Sequence, residues 1–101
     1  MQYIWISYRN SDLDEPTDSY VELDGDRLER RRVDLYQNGM RFVYGAEMGR
    51  TEVLSREPYP ENPATLNRPG EVDVRFIDSR AFEDLWFRSQ EWPSGFMGMT
   101  M

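Results

Sequence analysis

The sequence predicts an α+β fold: a curved antiparallel β-sheet of four to six strands with one main C-terminal helix packed on a face. Several short segments are rich in aromatic and β-branched residues, which is typical of strands, and turn residues separate them. One apolar stripe with helical spacing follows the last of these segments. The chain has neither an internal repeat nor an interdomain linker. We therefore expect a single domain over residues 1–91 and an apolar, glycine-broken C-terminal tail over residues 92–101.

The first strand is predicted at residues 2–8, where aromatic and β-branched side chains occupy both faces. A strand of this composition lies in the middle of a sheet. Residues 10–18 collect Asp, Glu and Pro, so we expect an exposed acidic loop there. The alternating residues 19–23 predict the second strand, and residues 24–26 predict a turn.

A β-hairpin is predicted over residues 30–44, because Asn38-Gly39 accepts the positive φ angles of a two-residue turn. In that register the opposed pairs are Gln37 with Met40, Leu35 with Phe42, and Val33 with Tyr44. The side chains of the last two pairs share the core face, and a slip of one residue would turn them to the other face.

The segment after the hairpin is less regular, and we predict a short strand at residues 51–54. Prolines between residues 58 and 69 then indicate a long loop with a short helical turn at residues 64–66. Two interpretations of this loop remain open. It is a strap over the edge of the core anchored by Tyr59 and Leu66, or it is a binding loop.

The last strand is predicted at residues 71–77, with Val72, Val74 and Phe76 pointing inward. Asp78 or Ser79 can cap the helix that follows. The apolar stripe of that helix, which we expect to face the sheet, consists of Phe82, Leu85 and Trp86. We expect the helix to end near Gln90, before Trp92-Pro93, and the tail to fray rather than to dock in a groove or on a partner.

The composition excludes several classes of catalytic site. The 101 residues include no His and no Cys, and all 12 basic residues are Arg. Pairs of Ser or Cys with His, lysine Schiff bases and Cys/His zinc sites are therefore excluded. We expect no cofactor and no metal, and the net charge of -7 argues against nucleic acid as a partner.

The sequence predicts a cytoplasmic protein with no membrane partner. No apolar run approaches the roughly 20 residues of a membrane span. The amino terminus also lacks the basic and then apolar pattern of a secretion signal.

The densest acidic region provides the candidate partner-binding residues. Carboxylates at this density could bind a cationic surface, whereas the calcium-loop template fails because Tyr20 and Arg31 would occupy its first and last ligand positions. The candidate residues are Asp12, Asp14, Glu15, Asp18, Tyr20, Glu22, Asp24 and Asp26.

The basic residues cluster in one place, at Arg27 and residues 30–32. A strand would send Arg30 and Arg32 to one face and Arg31 to the other, which makes a shared phosphate site a poor interpretation. We expect instead that these arginines form cross-strand ion pairs with the acidic residues 22–26.

Several segments together resemble a family of small bacterial proteins that is defined only as a domain of unknown function. The segments are Tyr3-Ile4-Trp5, Asp14-Glu15-Pro16, Tyr20-Val21-Glu22-Leu23-Asp24, Arg27-Leu28-Glu29-Arg30-Arg31-Arg32-Val33, Tyr36-Gln37-Asn38-Gly39 and Phe82-Glu83-Asp84-Leu85-Trp86. The resemblance covers residues 1–90 and implies no catalytic residue. Its members are similar to proteins encoded among polymorphic-toxin immunity proteins, which implies that a toxin is neutralised by tight binding.

We therefore expect a non-enzymatic protein-binding module, namely an immunity-type inhibitor whose acidic loop and exposed aromatic residues cover the basic cleft of a toxin domain. We expect it to be a monomer or a weak homodimer. Two alternatives remain open: a small hydrolase or metal-dependent enzyme that uses carboxylates alone, and a structural subunit that self-associates through a sheet edge or the tail.

Overall fold

The computed structural model describes the backbone of residues 1–99 and the side chains of residues 1–90. The described residues form one antiparallel sheet with the strand order β4-β3-β2-β1-β5, followed by a helix. This architecture confirms the predicted α+β fold, and β1 lies inside the sheet as predicted. The elements are β1 (Gln2–Tyr8), β2 (Asp18–Leu23), β3 (Glu29–Leu35), β4 (Arg41–Gly45), β5 (Val72–Ile77) and α1 (Ser79–Met99).

The sheet has two covered faces, which we call the helix face and the loop face. On the helix face, Val33 and Val43 pack against Phe82 and Trp86 of α1. On the loop face, the apolar cluster consists of Ile4, Ile6, Val21, Leu23 and Val74, and Tyr59 of the long loop packs against it. Because successive side chains of a strand alternate between faces, β1 contributes to both clusters.

The predicted register of the hairpin is wrong by one residue. Val33 pairs with Val43 and Leu35 pairs with Arg41, while Phe42 lies opposite Asp34. The physical reason is the loop, which has three residues instead of two: the Tyr36 N–H donates to the Met40 carbonyl, and Gly39 has a φ of 87°. A residue in the left-handed region at this position is typical of the three-residue hairpin loop.

The hairpin's shift changes which residues share a face. Val33 and Leu35 remain on the helix face, but Phe42 and Tyr44 point to the loop face, beside Asp34 and Arg32. Tyr44 is nevertheless buried. The prediction that the four side chains share one face is therefore wrong.

The long loop covers the loop face as a strap. Tyr59 is tied to Arg27 by two hydrogen bonds, from the Tyr59 N–H to the Arg27 carbonyl (2.9 Å) and from Arg27 Nε to the Tyr59 carbonyl (2.8 Å). The predicted anchor at Leu66 is wrong, because this side chain is 40% exposed and Pro63 is buried instead. The predicted helical turn exists as a 3₁₀ helix at Pro63–Leu66. The strand predicted at residues 51–54 does not form, because these residues make a turn in which the Leu54 N–H donates to the Thr51 carbonyl at 3.1 Å.

The outer edge of β5 is partly occupied by this loop. Asn67 Oδ1 accepts a hydrogen bond from the Val74 N–H, and Arg68 exchanges backbone hydrogen bonds with Val72. Val74 is buried as predicted, whereas Phe76 is 55% exposed and the prediction that it points into the core is wrong. The loop does not extend over that end of the edge strand.

Helix α1 lies across the helix face, as predicted. Asp78 is its N-cap: the Ala81 N–H donates to Asp78 Oδ1 at 2.8 Å. Phe82 and Trp86 are buried and Leu85 is half-buried. The predicted end near Gln90 is wrong: α1 continues past Pro93 to Met99, since a proline removes one hydrogen bond without always ending a helix. How the side chains of residues 92–101 pack lies outside the described residues, as does the structure of residues 100 and 101.

Along the described residues, no helix combines the length and the apolar character that crossing a bilayer requires.

Candidate functional site

The predicted acidic residues do not form one continuous surface. Asp12, Asp14 and Glu15 lie in the loop between β1 and β2, whereas Asp24 and Asp26 lie in the turn after β2. These two segments are at opposite ends of β2, whose six residues span about 20 Å. A single small binding patch cannot use both ends.

The three predicted residues within β2 are Asp18, Tyr20 and Glu22. Their side chains point to the helix face and contact other side chains of the protein. Asp18 accepts a hydrogen bond from Trp5 Nε1 at 2.7 Å. Tyr20 stacks on Trp5, with ring centroids 5.8 Å apart and planes 7° apart. Burial, followed by the neighbouring Asp18 carboxylate, raises the pKa of Tyr20. Asp18 and Tyr20 therefore stabilise the sheet itself.

Glu22 is buried on the helix face. Its carboxylate accepts a hydrogen bond from the Tyr3 hydroxyl at 2.9 Å and two from Arg31, at 2.7 and 2.8 Å. Burial disfavours the charge of Glu22, but these donors outweigh it and lower the pKa of the carboxyl group. The predicted cross-strand pairing is thus confirmed for Arg31.

Asp24 stabilises the turn between β2 and β3. Its Oδ1 accepts hydrogen bonds from the backbone N–H groups of Asp26 (2.8 Å) and Leu28 (3.0 Å). This is an Asx-type turn, and it accounts for the predicted break in the chain at residues 24–26. Asp26 is exposed at the surface of the turn.

The loop between β1 and β2 presents its acidic residues to solvent. The Glu15 N–H donates to the Asp12 carbonyl at 3.0 Å, and Glu15 Oε1 accepts from the Asp12 N–H at 3.1 Å, which closes a tight turn. Leu13 stands on this turn with 77% of its surface exposed. The sequence reasoning missed Leu13, and the available signal was a lone large apolar residue within an acidic run.

The hairpin loop between β3 and β4 lies beside this acidic turn. Gln37 Nε2 donates to the Ser11 carbonyl at 3.1 Å, which ties the two loops together. Met40 of the hairpin loop is 42% exposed. We call the surface formed by residues 10–17 and 36–40 the acidic loop end of the sheet. It combines two exposed apolar side chains with three exposed carboxylates.

A cleft of about 530 Å³ opens between the acidic loop and the start of β5. This volume is within the roughly 300–1,000 Å³ range of ligand-binding clefts. Tyr8 and Arg32 of the loop face lie at the cleft. The residues that line it are Tyr8, Asn10, Ser11, Glu15, Pro16, Arg32, Arg68, Glu71 and Val72.

Arg32 is held in a network of buried polar groups. Its Nε donates to Asp34 Oδ1 at 2.8 Å, and its Nη1 donates to Glu29 Oε2 at 3.1 Å. Burial opposes the charge of this guanidinium, but the Asp34 and Glu29 carboxylates outweigh it and raise the pKa of Arg32. Arg32 therefore pairs with acids of its own strand, and the predicted pairing with residues 22–26 is wrong for this residue.

The same network holds the strap. Glu29 Oε1 accepts from the Ser55 N–H at 2.8 Å, and Glu29 Oε2 accepts from the Tyr59 hydroxyl at 2.5 Å. Burial, and then the Glu29 carboxylate, raise the pKa of Tyr59 far above its ordinary value. The buried ion pair and the covering loop thus depend on each other. In the part of the chain that the structure describes, no three acidic side chains come together as metal ligands.

The described residues therefore form a small α+β protein: an antiparallel sheet with α1 on one face, an acidic loop end and an open cleft beside it. The family described as a domain of unknown function (DUF6881) matches residues 2–91, and the chain belongs to this family. No curated protein and no solved structure matches the chain.

Proposed function

We propose that the protein is a non-enzymatic binding module that engages a basic protein partner through its acidic loop end. The observation that carries this proposal is Leu13, which is 77% exposed on a turn flanked by Asp12 and Asp14. An exposed apolar side chain surrounded by charges of one sign is suited to a partner that offers an apolar depression with a basic rim. The carboxylates would accelerate association, and the apolar contact would slow dissociation.

The specific form of the proposal is an immunity-type inhibitor that neutralises a toxin domain. Such an inhibitor acts by covering a functional surface, so it needs a stable scaffold and an exposed recognition surface rather than catalytic groups. The net charge of -7 and the location of Asp12, Asp14 and Glu15 at the surface support a basic partner.

The test compares three forms of the tagged protein as bait in lysate of its source, together with the products of neighbouring genes. The first is wild type. The second carries Asp12→Asn, Asp14→Asn and Glu15→Gln, and the third carries the same charge change on the exposed loop residues Glu52→Gln, Glu57→Gln and Glu61→Gln. We expect a basic partner that binds wild type and the control, is lost with the acidic-loop variant, and is released by high salt.

A second comparison tests the apolar contact. Leu13→Ala should weaken binding of that partner by about tenfold or more. Val53→Ala removes an apolar side chain that is also exposed but lies in the loop between β4 and β5, and it should leave binding unchanged. If wild type, the acidic-loop variant and Leu13→Ala retain the same partners with the same salt dependence, the proposal is wrong.

A further inference from the structure

We infer that the cleft beside the acidic loop accepts a guanidinium side chain of the basic partner, between the carboxylates of Glu15 and Glu71. This inference rests on the proposed function, because it assigns a pocket to the same partner. The cleft adjoins the acidic loop end directly, since Asn10, Ser11 and Glu15 belong to both. A partner that covers the loop would therefore reach the cleft as well.

The arginine in the cleft does not make it an anion site. A guanidinium has five N–H donors. Besides the bonds to Asp34 and Glu29, Arg32 Nη2 donates to Ser19 Oγ at 3.0 Å and to Tyr8 OH at 3.4 Å, and Nη1 lies 3.4 Å from the second Glu29 oxygen. These contacts direct Arg32 toward groups inside the molecule, and an anion in the cleft would have to compete with the Glu29 and Asp34 carboxylates for it.

The balance of charge in and around the cleft favours a cation. Glu15 and Glu71 line the cleft together with Arg68 and Arg32. The nearly buried carboxylates of Glu29 and Asp34 both contact Arg32, so they more than neutralise its charge. The backbone N–H of Arg9 donates to the Glu71 carbonyl, but the Arg9 guanidinium pairs with Asp73. Arg9 therefore does not offset the excess of negative charge at the cleft.

The shape of the available groups favours guanidinium over ammonium. Glu15 uses Oε1 to accept from the Asp12 N–H, which leaves Oε2 for a ligand. Glu71 is exposed and lines the cleft immediately before the start of β5. A planar guanidinium can donate to both carboxylates and lie against the ring of Tyr8, whereas an ammonium is a compact point charge.

The experiment follows backbone amide signals by NMR while N-acetylarginine amide is added to the whole protein. We expect saturable shifts at Tyr8, Asn10, Ser11 and Val72, and no saturable shift there with N-acetylcitrulline amide, which has the same shape without the charge. Glu71→Gln should weaken binding of the arginine probe by roughly threefold, as expected for a partly solvated ion pair. Glu57→Gln, which removes an exposed charge from the strap, should leave it unchanged.

The inference is overturned if the citrulline probe shifts the same amides equally, if Glu71→Gln has no effect, or if the shifts lie elsewhere. Much tighter binding of free arginine than of the blocked amide would also overturn it, because the ligand would then be a free amino acid. Since Glu71 is outside the acidic loop, this experiment and the partner capture can fail separately. If the arginine probe binds the cleft but no partner is captured, the arginine site is supported and the proposed function is wrong.

Discussion

Arg31 and Glu22 lie opposite each other on β3 and β2, joined by two hydrogen bonds of 2.7 and 2.8 Å, at the point where α1 crosses the sheet. The Arg31 guanidinium also donates to Glu83 of α1, at 3.1 Å through Nη1. Its centre lies 5.0 Å from the ring centres of both Phe82 and Trp86. One side chain therefore connects two strands and the helix.

Arg31→Met should destabilise the protein by about 3–5 kcal/mol, because it removes both hydrogen bonds from Arg31 to the buried Glu22 carboxylate and leaves only the exposed Arg30, at 3.7 Å, as a cationic partner. Chemical denaturation measures this free energy of unfolding. Arg88→Met is the matched control, since Arg88 pairs with Asp84 on the exposed side of α1 and should change stability by no more than about 1 kcal/mol. Equal losses in the two variants would mean that the Arg31 contacts add nothing beyond a surface ion pair.

Stability should fall in acid partly through Glu22. The pKa of this carboxyl is lowered from its ordinary 4.5 in the folded state. Its stabilisation is therefore complete above the unfolded pKa and is lost as the pH falls through the folded value. Urea denaturation from about pH 7 to about pH 3 should show a shallower acid decline for Glu22→Gln than for wild type. Parallel declines would contradict the assignment.

Tyr59→Phe should destabilise the protein by about 1–3 kcal/mol, because Glu29 Oε2 loses a hydroxyl donor in a buried site. The folded pKa of Tyr59 is raised above its ordinary 10.0. Its stabilisation is thus complete below the unfolded pKa and is lost as the pH rises above it. Thermal unfolding measured on both sides of about pH 10 should show a flatter alkaline decline in the variant. Tyr36→Phe serves as the control, because its hydroxyl is less buried and has no hydrogen-bond partner among the residues that the structure describes.

Gly39→Ala should destabilise the protein by about 1–2 kcal/mol, because its φ of 87° lies in the left-handed region that side chains disfavour. Gly25→Ala is the control: a Cβ at Gly25 also meets open space, and its φ is outside that region. It should be neutral or slightly stabilising. Denaturant midpoints of the two variants separate backbone strain from loss of space, and equal midpoints would contradict the three-residue hairpin loop.

Local patterns predicted the fold class and most elements. The aromatic and β-branched run at residues 2–8 and the alternation at residues 19–23 correspond to β1 and β2. The stripe of Phe82, Leu85 and Trp86 faces the sheet, and Asp78 caps the helix. These features depend on side chains within a few residues of one another, so the sequence carries them directly.

The candidate functional surfaces were predictable only in part. The acidic loop is exposed as expected, but Glu22 belongs to the Arg31 contact, and Asp18 and Tyr20 pack on Trp5. A carboxylate near an arginine in sequence does not reveal whether solvent or a buried partner surrounds it. The cleft also could not be predicted, because Tyr8, Arg32 and Glu71 come from distant parts of the chain.

By itself, the sequence determined the fold class, most of the strands, the start of the helix and the absence of imidazole, thiol and lysine side chains. Only the tertiary structure decided the hairpin register, the side of the sheet on which Phe42 and Tyr44 lie, and the pairing of Arg32 with Glu29 and Asp34. The physical reason is range. Propensity and periodicity act over a few residues, whereas one residue added to a turn changes the neighbours of every side chain beyond it.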